Sequence, residues 1–299
     1  MYPTRDGRWI QLLNIYPKAK TRALAFLGCA DNSLAISHVT RRWNAFELEE
    51  KANEAGLPAT VIRSTEEFLD LEQFEYLAQL PLVRITRIGE SDPKSLTGSP
   101  ESPMDGVRAL GFGHVIAGAG LGRAMAYHGA EVLNLWQPLD FEIDQIYFTS
   151  SVGMRSATLG LQQGVAVVKL GELIRGTDIF FANRRPGYLN QYHLSAEDMA
   201  EAHPGIIHVG MSLYGPTGPW AGRTGFDQNA GGVSGVLTGE GTFENPALPE
   251  IFVVNDYAMS WISCMAVMSA LKRRAMEGGS YKIELSRAAF CVAPPPRAL

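Results

Sequence analysis

Between residues 106 and 209, short apolar runs alternate with stretches of helical periodicity, and this alternation restricts the fold more than any other feature of the 299-residue chain. Gly106-Val107-Arg108-Ala109-Leu110-Gly111-Phe112 reads as a strand, 121–128 as a helix and Glu131-Val132-Leu133-Asn134-Leu135 as a second strand. A second round follows, with a helix near 165–175, the strand Asp178-Ile179-Phe180-Phe181-Ala182, a helix over 195–202 and the strand Gly205-Ile206-Ile207-His208-Val209. Strand-helix-strand units of this length join parallel strands through crossover helices. The expected fold class is therefore α/β, a doubly wound, mostly parallel, Rossmann-like sheet. Such sheets bind ligands where their strands hand over to loops at the carboxyl ends, which directs attention to 114–120, 183–187 and 212–227.

The stretch Ser91-Asp92-Pro93-Lys94-Ser95-Leu96-Thr97-Gly98-Ser99-Pro100-Glu101-Ser102-Pro103 has the composition of a linker. It predicts a small α+β domain over 1–90, a linker over 91–104 and the Rossmann-like large domain over 105–299. In the small domain, Asp6-Gly7-Arg8 reads as a turn into the alternating strand Trp9-Ile10-Gln11-Leu12-Leu13. Helical segments around 19–28 and 44–55 and a short strand Ala59-Thr60-Val61-Ile62 follow. Ser64-Thr65-Glu66-Glu67 signals a helix start, with acids near the positive end of the helix dipole. In the large domain, Ile262, Ala266, Val267, Ala270 and Leu271 share a face at helical spacing and predict a long helix over about 257–274.

Composition excludes several classes of function. A formal net charge of −5 offers no basic surface for nucleic acid. Cys29, Cys264 and Cys291 are isolated, without a CxxC pair or metal-ligand spacing to histidine, so they read as small buried apolar residues in a reducing, cytoplasmic compartment, with no metal site. The first residues lack the apolar core of a signal sequence, and no stretch reaches the ~18 charge-free apolar residues of a membrane span. No GxSxG elbow is present and the six histidines are scattered, which leaves serine hydrolase chemistry unsupported.

The loop Ala117-Gly118-Ala119-Gly120-Leu121-Gly122 invites a dinucleotide reading, but GxGxxG fails from Gly118 at Arg123 and from Gly120 at Met125. What it offers is backbone N–H groups at a helix start and close approach to a phosphate or thioester. In Asn183-Arg184-Arg185-Pro186-Gly187, two adjacent guanidinium groups follow an apolar strand; they suit phosphate, and equally water or acid partners. The Gly- and Pro-dense run from Gly215 through Thr217, Pro219 and Arg223 to Asp227 reads as a loop, either ordered or disordered, and Gly231-Gly232-Val233-Ser234-Gly235 as a place of close backbone approach or tight packing. Asp256 follows the apolar run Phe252-Val253-Val254, read as a strand, and opens the long helix. Spacing alone favours a helix cap over a functional carboxylate there.

Taken in order, Asp105-Gly106-Val107-Arg108-Ala109-Leu110, His114-Val115-Ile116-Ala117-Gly118, His128-Gly129-Ala130-Glu131-Val132, Gly215-Pro216-Thr217-Gly218-Pro219, Arg223-Thr224-Gly225-Phe226-Asp227, Asn255-Asp256-Tyr257 and Tyr281-Lys282-Ile283-Glu284-Leu285-Ser286 resemble family III CoA-transferases, the formyl-CoA and carnitine CoA-transferases and their acyl-CoA racemase relatives. The resemblance covers most of 105–287. It implies that Asp256 is a nucleophile forming an aspartyl-CoA intermediate, and that Asp227 is an acid beside it. It also implies that Val115, Ala117, Asn183, Arg184 and Arg155 line a CoA site. The implied partners are an acyl-CoA and a carboxylic acid acceptor, with no tightly bound cofactor and an interlocked homodimer. The racemases add a histidine on a preceding helix, where this chain has Ser195-Ala196-Glu197-Asp198-Met199. Racemase or isomerase chemistry is thus the secondary enzymatic reading.

The chain departs from the family pattern at Ile116, at Gln137, where a basic residue is usual, and at Gly153-Met154-Arg155, where Asn-Lys-Arg or Gly-Lys-Arg is usual. Less positive charge is left for CoA phosphates, and a non-catalytic CoA-binding or scaffolding half is a third reading. Residues 1–90 resemble the family's small domain, which normally follows the large one, and 290–299 depart from it where a long helix continues. Both features imply a piece of a tandem protein with a shortened large domain.

Overall fold

The computed structural model describes residues 1–12, 15–138, 140–162, 164–251 and 253–292. The chain forms two compact units that are not consecutive in sequence: Met1–Leu80 with Leu213–Asn255 and the chain from Ser286, and Pro81–Ser212 with Asp256–Leu285. The proline-rich stretch after Ser91 lies inside the second unit.

The first unit holds a three-stranded antiparallel sheet of β1 (Tyr2–Pro3), β2 (Trp9–Leu12) and β3 (Ala59–Val61). Leu13, expected to end β2, lies outside the described residues. Ile10, Leu48, Leu57 and Ala59 form a core between this sheet and the helix Ala45–Glu54. The helix start expected at Ser64 is a reciprocal cap: the Ser64 hydroxyl accepts the Glu67 N–H, and the Glu67 carboxylate accepts the Ser64 N–H.

The second unit is built on a seven-stranded sheet of β4 (Val83–Gly89), β5 (Arg108–Phe112), β6 (Glu131–Trp136), β7 (Arg155–Thr158), β8 (Ile179–Ala182), β9 (Ile207–Ser212) and β10 (Ser280–Ser286), in the order β4-β10-β9-β8-β5-β6-β7. β7, β6, β5, β8 and β9 are parallel to their neighbours, and β4 closes the far edge antiparallel to β10. This is the doubly wound arrangement, with the order reversing between β5 and β8. β8 is buried at every position, as a strand covered by helices on both faces must be. Leu110, Phe112, Leu135, Phe180, Met199 and Ile206 form the core on one face.

β4 precedes the proline-rich stretch yet belongs to this sheet, because its partner is β10, almost two hundred residues later. The helix expected over 121–128 begins earlier, at Ala117, and takes in three glycines that helix propensity disfavours. Close packing explains all three, a Cβ on Gly122 falling against Met154 Sδ. A Cβ on Gly118 would stand 2.5 Å from Asn183 Oδ1, and one on Gly120 would stand 2.4 Å from Ser260 Oγ. Among the cysteines, Cys264 is buried and Cys29 half-exposed; the Cys291 side chain is outside the described residues, as is all of 293–299.

The amino ends of the strands are held by one buried carboxylate. Asp178, just before β8, accepts from Lys94 Nζ at 2.5 Å, from the Arg108 N–H at 3.1 Å, and pairs with buried Arg274 at 3.0 Å. Burial alone would raise its pKa, but the Lys94 and Arg108 hydrogen bonds and the two positive charges outweigh that and hold it below the usual carboxylate range. A carboxyl whose folded pKa lies below its unfolded value contributes stability above about pH 4 that is lost as pH falls through the folded value. Asp178→Asn should therefore lower stability at neutral pH and flatten the acid limb of the stability profile. Urea unfolding followed between pH 7 and pH 3 checks this.

Candidate functional site

The turn leaving β5 sits where the strand order reverses, and asparagines from the strands on both sides hold it. Asn134 of β6 accepts the Gly113 N–H at 2.9 Å and donates to the Gly113 carbonyl at 2.8 Å. Asn183, at the end of β8, accepts the His114 N–H at 2.9 Å and donates to the His114 carbonyl at 2.8 Å. Each amide thus satisfies both polar groups of one turn residue. Gly113 and Gly118 then lie back to back, a Cβ on Gly113 falling 2.5 Å from the Gly118 carbonyl carbon. The turn forces Val115 to φ +58°, a strained conformation for a β-branched residue. Its N–H donates to Glu142 Oε2 at 2.9 Å, and Ala117 opens the following helix, fully buried.

Over this turn lie an arginine, its acid partner and a histidine. Arg184 Nη2 reaches Asp140 Oδ2 at 3.0 Å and also contacts His114 Nε2. Asp140 is braced by the Gln137 N–H at 2.9 Å. The His114 ring packs edge-on against Trp136 at 4.5 Å, and the Arg184 guanidinium lies over Tyr188. Burial, with the Arg184 charge beside it, pushes the His114 pKa down to about 3 against the opposing pull of Asp140. The ring is therefore neutral at physiological pH, so Nε2 accepts from Arg184.

Asp256 is 2% exposed and is the third residue of the helix Val254–Glu277. It is neither the end of a strand nor an N-cap: Val254, read as strand, is already helical, and Phe252 lies outside the described residues. A carboxylate in a helix's first turn is favoured by the N–H groups there. One turn on, the Ser260 hydroxyl lies 2.8 Å from the Asp256 carbonyl and 3.1 Å from that of Ala117. Val115, Ala117, Asn183 and Arg184 are thus gathered at one turn, to which the helix of Asp256 is tied. Arg155 is not among them. It is the first residue of β7, 78% exposed and 3.6 Å from Glu131, which starts β6, so it stands at the amino ends of the strands.

In the first unit, Asp227 is buried at the start of the helix Asp227–Val233, and its carboxylate accepts from the Asn255 N–H at 3.0 Å and from Asn255 Nδ2 at 2.8 Å. The Gly-Pro loop before it is tied down by Gln73. Gln73 Nε2 donates to the carbonyls of Tyr214 and Thr217 at 2.7 and 2.8 Å, and Oε1 accepts the Trp220 N–H at 2.7 Å. Gly231 and Gly232, read as a place of close backbone approach or of tight packing, are helical and pack against Leu237 and Ile62.

Three organising residues were not singled out from sequence: Asn134, Gln73 and Ser260. Asn134 alone leaves a local signal, a polar amide inside an apolar strand. No group of three His, Cys, Asp or Glu side chains that could hold a metal occurs among the described residues, and none of their helices is long and apolar enough to cross a membrane.

Fold and geometry together define a Rossmann-like α/β protein with a turn braced by two asparagines at the reversal of strand order. Residues 104–294 match CoA-transferase family III, and the chain belongs to that family. It is 26% identical over 310 residues to the acetyl-coenzyme A transferase of Hypoxylon pulicicidum, a match covering 96% of this chain and 52% of that protein. It is 29% identical over 211 residues to the succinyl-CoA–L-malate CoA-transferase alpha subunit of Chloroflexus aurantiacus, covering 65% of this chain and 49% of that one. The crystal structure of Rv3272 from Mycobacterium tuberculosis superposes with a TM-score of 0.60 at 27% identity, over 65% of this chain and 57% of that one. The chain spans about half the length of the curated relatives it matches.

Asn134→Ala leaves the buried N–H and carbonyl of Gly113 without partners, which should cost about 2–5 kcal/mol in urea unfolding. The His114 ring, with a folded pKa of about 3 against an unfolded 6.5, should stay neutral in NMR titrations down to pH 5. Arg184→Gln, which removes the adjacent positive charge, should raise that pKa. Because the folded value is the lower one, stability linked to His114 is present above pH 6.5 and declines as pH falls toward 3.

Proposed function

We propose that this chain transfers coenzyme A between carboxylic acids, with Asp256 as the nucleophile. Family membership supports the reaction class. The observation that carries the assignment to this residue is the buried carboxylate in the first turn of a helix tied to the Ile116–Ala117 backbone. A carboxylate is a weak nucleophile, so catalysis depends on holding it in fixed orientation and on donors for the developing oxyanion.

In the proposed sequence an Asp256 oxygen attacks the thioester carbonyl of the acyl-CoA, and the C–S bond breaks to give a mixed anhydride and CoA thiolate. The thiolate attacks the aspartyl carbonyl of the anhydride, releasing the donor carboxylate and leaving an aspartyl-CoA thioester. The acceptor carboxylate then attacks that thioester, forming a second anhydride and thiolate. Attack of the thiolate on the acceptor's acyl carbon releases the new acyl-CoA and restores Asp256. No tightly bound cofactor enters any step.

Val115, Ala117, Asn183 and Arg184 would line the CoA site, the two asparagine clips keeping its turn rigid. Asp227, which holds the Asn255 backbone and side chain, is proposed as the supporting acid. Arg155 is not proposed as a CoA ligand, given its place at the amino ends of the strands. A homodimer acting in the cytoplasm completes the reading.

Incubation with an acyl-CoA followed by hydroxylamine and mass spectrometry should give a hydroxamate on Asp256, and Asp256→Asn should abolish both adduct and transfer. Exchange of the substrate α-proton with solvent deuterium, without adduct or transfer, would overturn this reading in favour of a racemase.

A further inference from the structure

Ser260 is a buried hydroxyl in mid-helix whose role neither the family match nor the sequence assigns. Serine is a mediocre helix former because its hydroxyl competes for backbone carbonyls, and here it does so on two helices at once. Its Oγ lies 2.8 Å from the Asp256 carbonyl of its own helix, 3.1 Å from the Ala117 carbonyl and 3.4 Å from the Ile116 carbonyl. The side chain is 2% exposed. Gly120, on the first turn of the Ala117–Tyr127 helix, makes the approach possible: a Cβ there would stand 2.4 Å from Ser260 Oγ and 3.1 Å from its Cβ. The helix carrying Asp256 therefore meets the helix following the β5 turn at one hydroxyl seated on one glycine. That contact is a single helical turn from Asp256.

Ser263 provides a contrast on the same helix. It is fully buried, and its hydroxyl has no hydrogen-bond partner among the described residues. The tie at 260 is thus specific to that position and not a general property of serines on this face.

We propose that Ser260 is a positioning residue for acyl transfer: by sharing its single O–H proton between the Asp256 and Ala117 carbonyls, it fixes the first turn of the Asp256 helix against the turn that receives the thioester. The proposal rests on the reading of Asp256 as nucleophile. A positioning group acts on the alignment of the attacking oxygen, so its removal should lower kcat and leave acyl-CoA binding nearly unchanged.

The test measures, for the parent chain and for Ser260→Ala, Gly120→Ala and Ser263→Ala, steady-state kcat and KM for an acyl-CoA and the single-turnover rate of hydroxylamine-trapped adduct on Asp256. Thermal melting by circular dichroism runs alongside. Ser260→Ala should lower kcat and the adduct rate roughly ten-fold with KM within about two-fold, and Ser263→Ala should match the parent. Gly120→Ala, which presses on the same contact from the other helix, should reproduce the Ser260→Ala signature and serves if Ser260→Ala does not fold. A parental kcat in the folded variants, or a loss lying wholly in KM, would overturn the positioning role. The nucleophile reading fails separately and visibly, in the parent, if transfer proceeds and no adduct forms on Asp256.

Discussion

The carboxyl end of the central strand depends on two side-chain amides. Asn134 and Asn183 flank β5 on either side, and each uses both its donor and its acceptor on one residue of the turn that follows. A turn at the end of a central parallel strand has no ladder partner for its backbone, and an unpaired buried N–H or carbonyl costs as much as a lost hydrogen bond. The two amides remove that cost at Gly113 and His114 in succession. With both residues fixed, Gly113 can meet Gly118 backbone to backbone and Val115 is carried into its left-handed conformation. The start of the next helix follows from there.

Electrostatics are divided between the two ends of the sheet. At the amino ends, Asp178 gathers Lys94, Arg274 and the Arg108 N–H, which joins the start of β8 to the proline-rich stretch and to the end of the long helix. At the carboxyl ends, Arg184 is paired with Asp140 and shares a contact with a neutral His114. Arg184 is thus positioned by an acid and an imidazole, and a phosphate that recruited it would compete with Asp140. Arg155 stands at the amino end, beside Glu131 and away from the turn that Arg184 reaches.

Much of this architecture was legible in the chain. The alternating pattern over 106–209 gave the β5, β6, β8 and β9 strands and their helices, because a buried parallel strand needs a continuous apolar run and its crossover helix a 3.6-residue period. β4 and β7 carry no such run, and β10 carries only the period-two alternation of Tyr281, Ile283 and Leu285. Arg155-Ser156-Ala157-Thr158 is an exposed edge strand without apolar alternation, and β4 and β10 exist as a pair only through a contact nearly two hundred residues apart in sequence. The Ser64 cap was readable because both its partners lie within one turn. The early start of the Ala117 helix was not, since three glycines argue locally against a helix and only their neighbours in space favour one.

By itself, the sequence determined the fold class, the order of motifs that mark a CoA-transferase of family III, and the presence of Asp256 and Asp227 at their positions in that order. The fold class follows from period and spacing along the chain, whereas the family and the places of the two aspartates follow from the resemblance of the ordered motifs. Only the tertiary structure decided that Asp256 lies inside a helix and not at its cap, that Gly120 receives Ser260, that Arg184 is paired and that Arg155 stands at the other end of the strands. Each of these depends on which distant segments meet, and a hydrogen bond or a steric contact across the sheet leaves no trace in the spacing of the residues that make it.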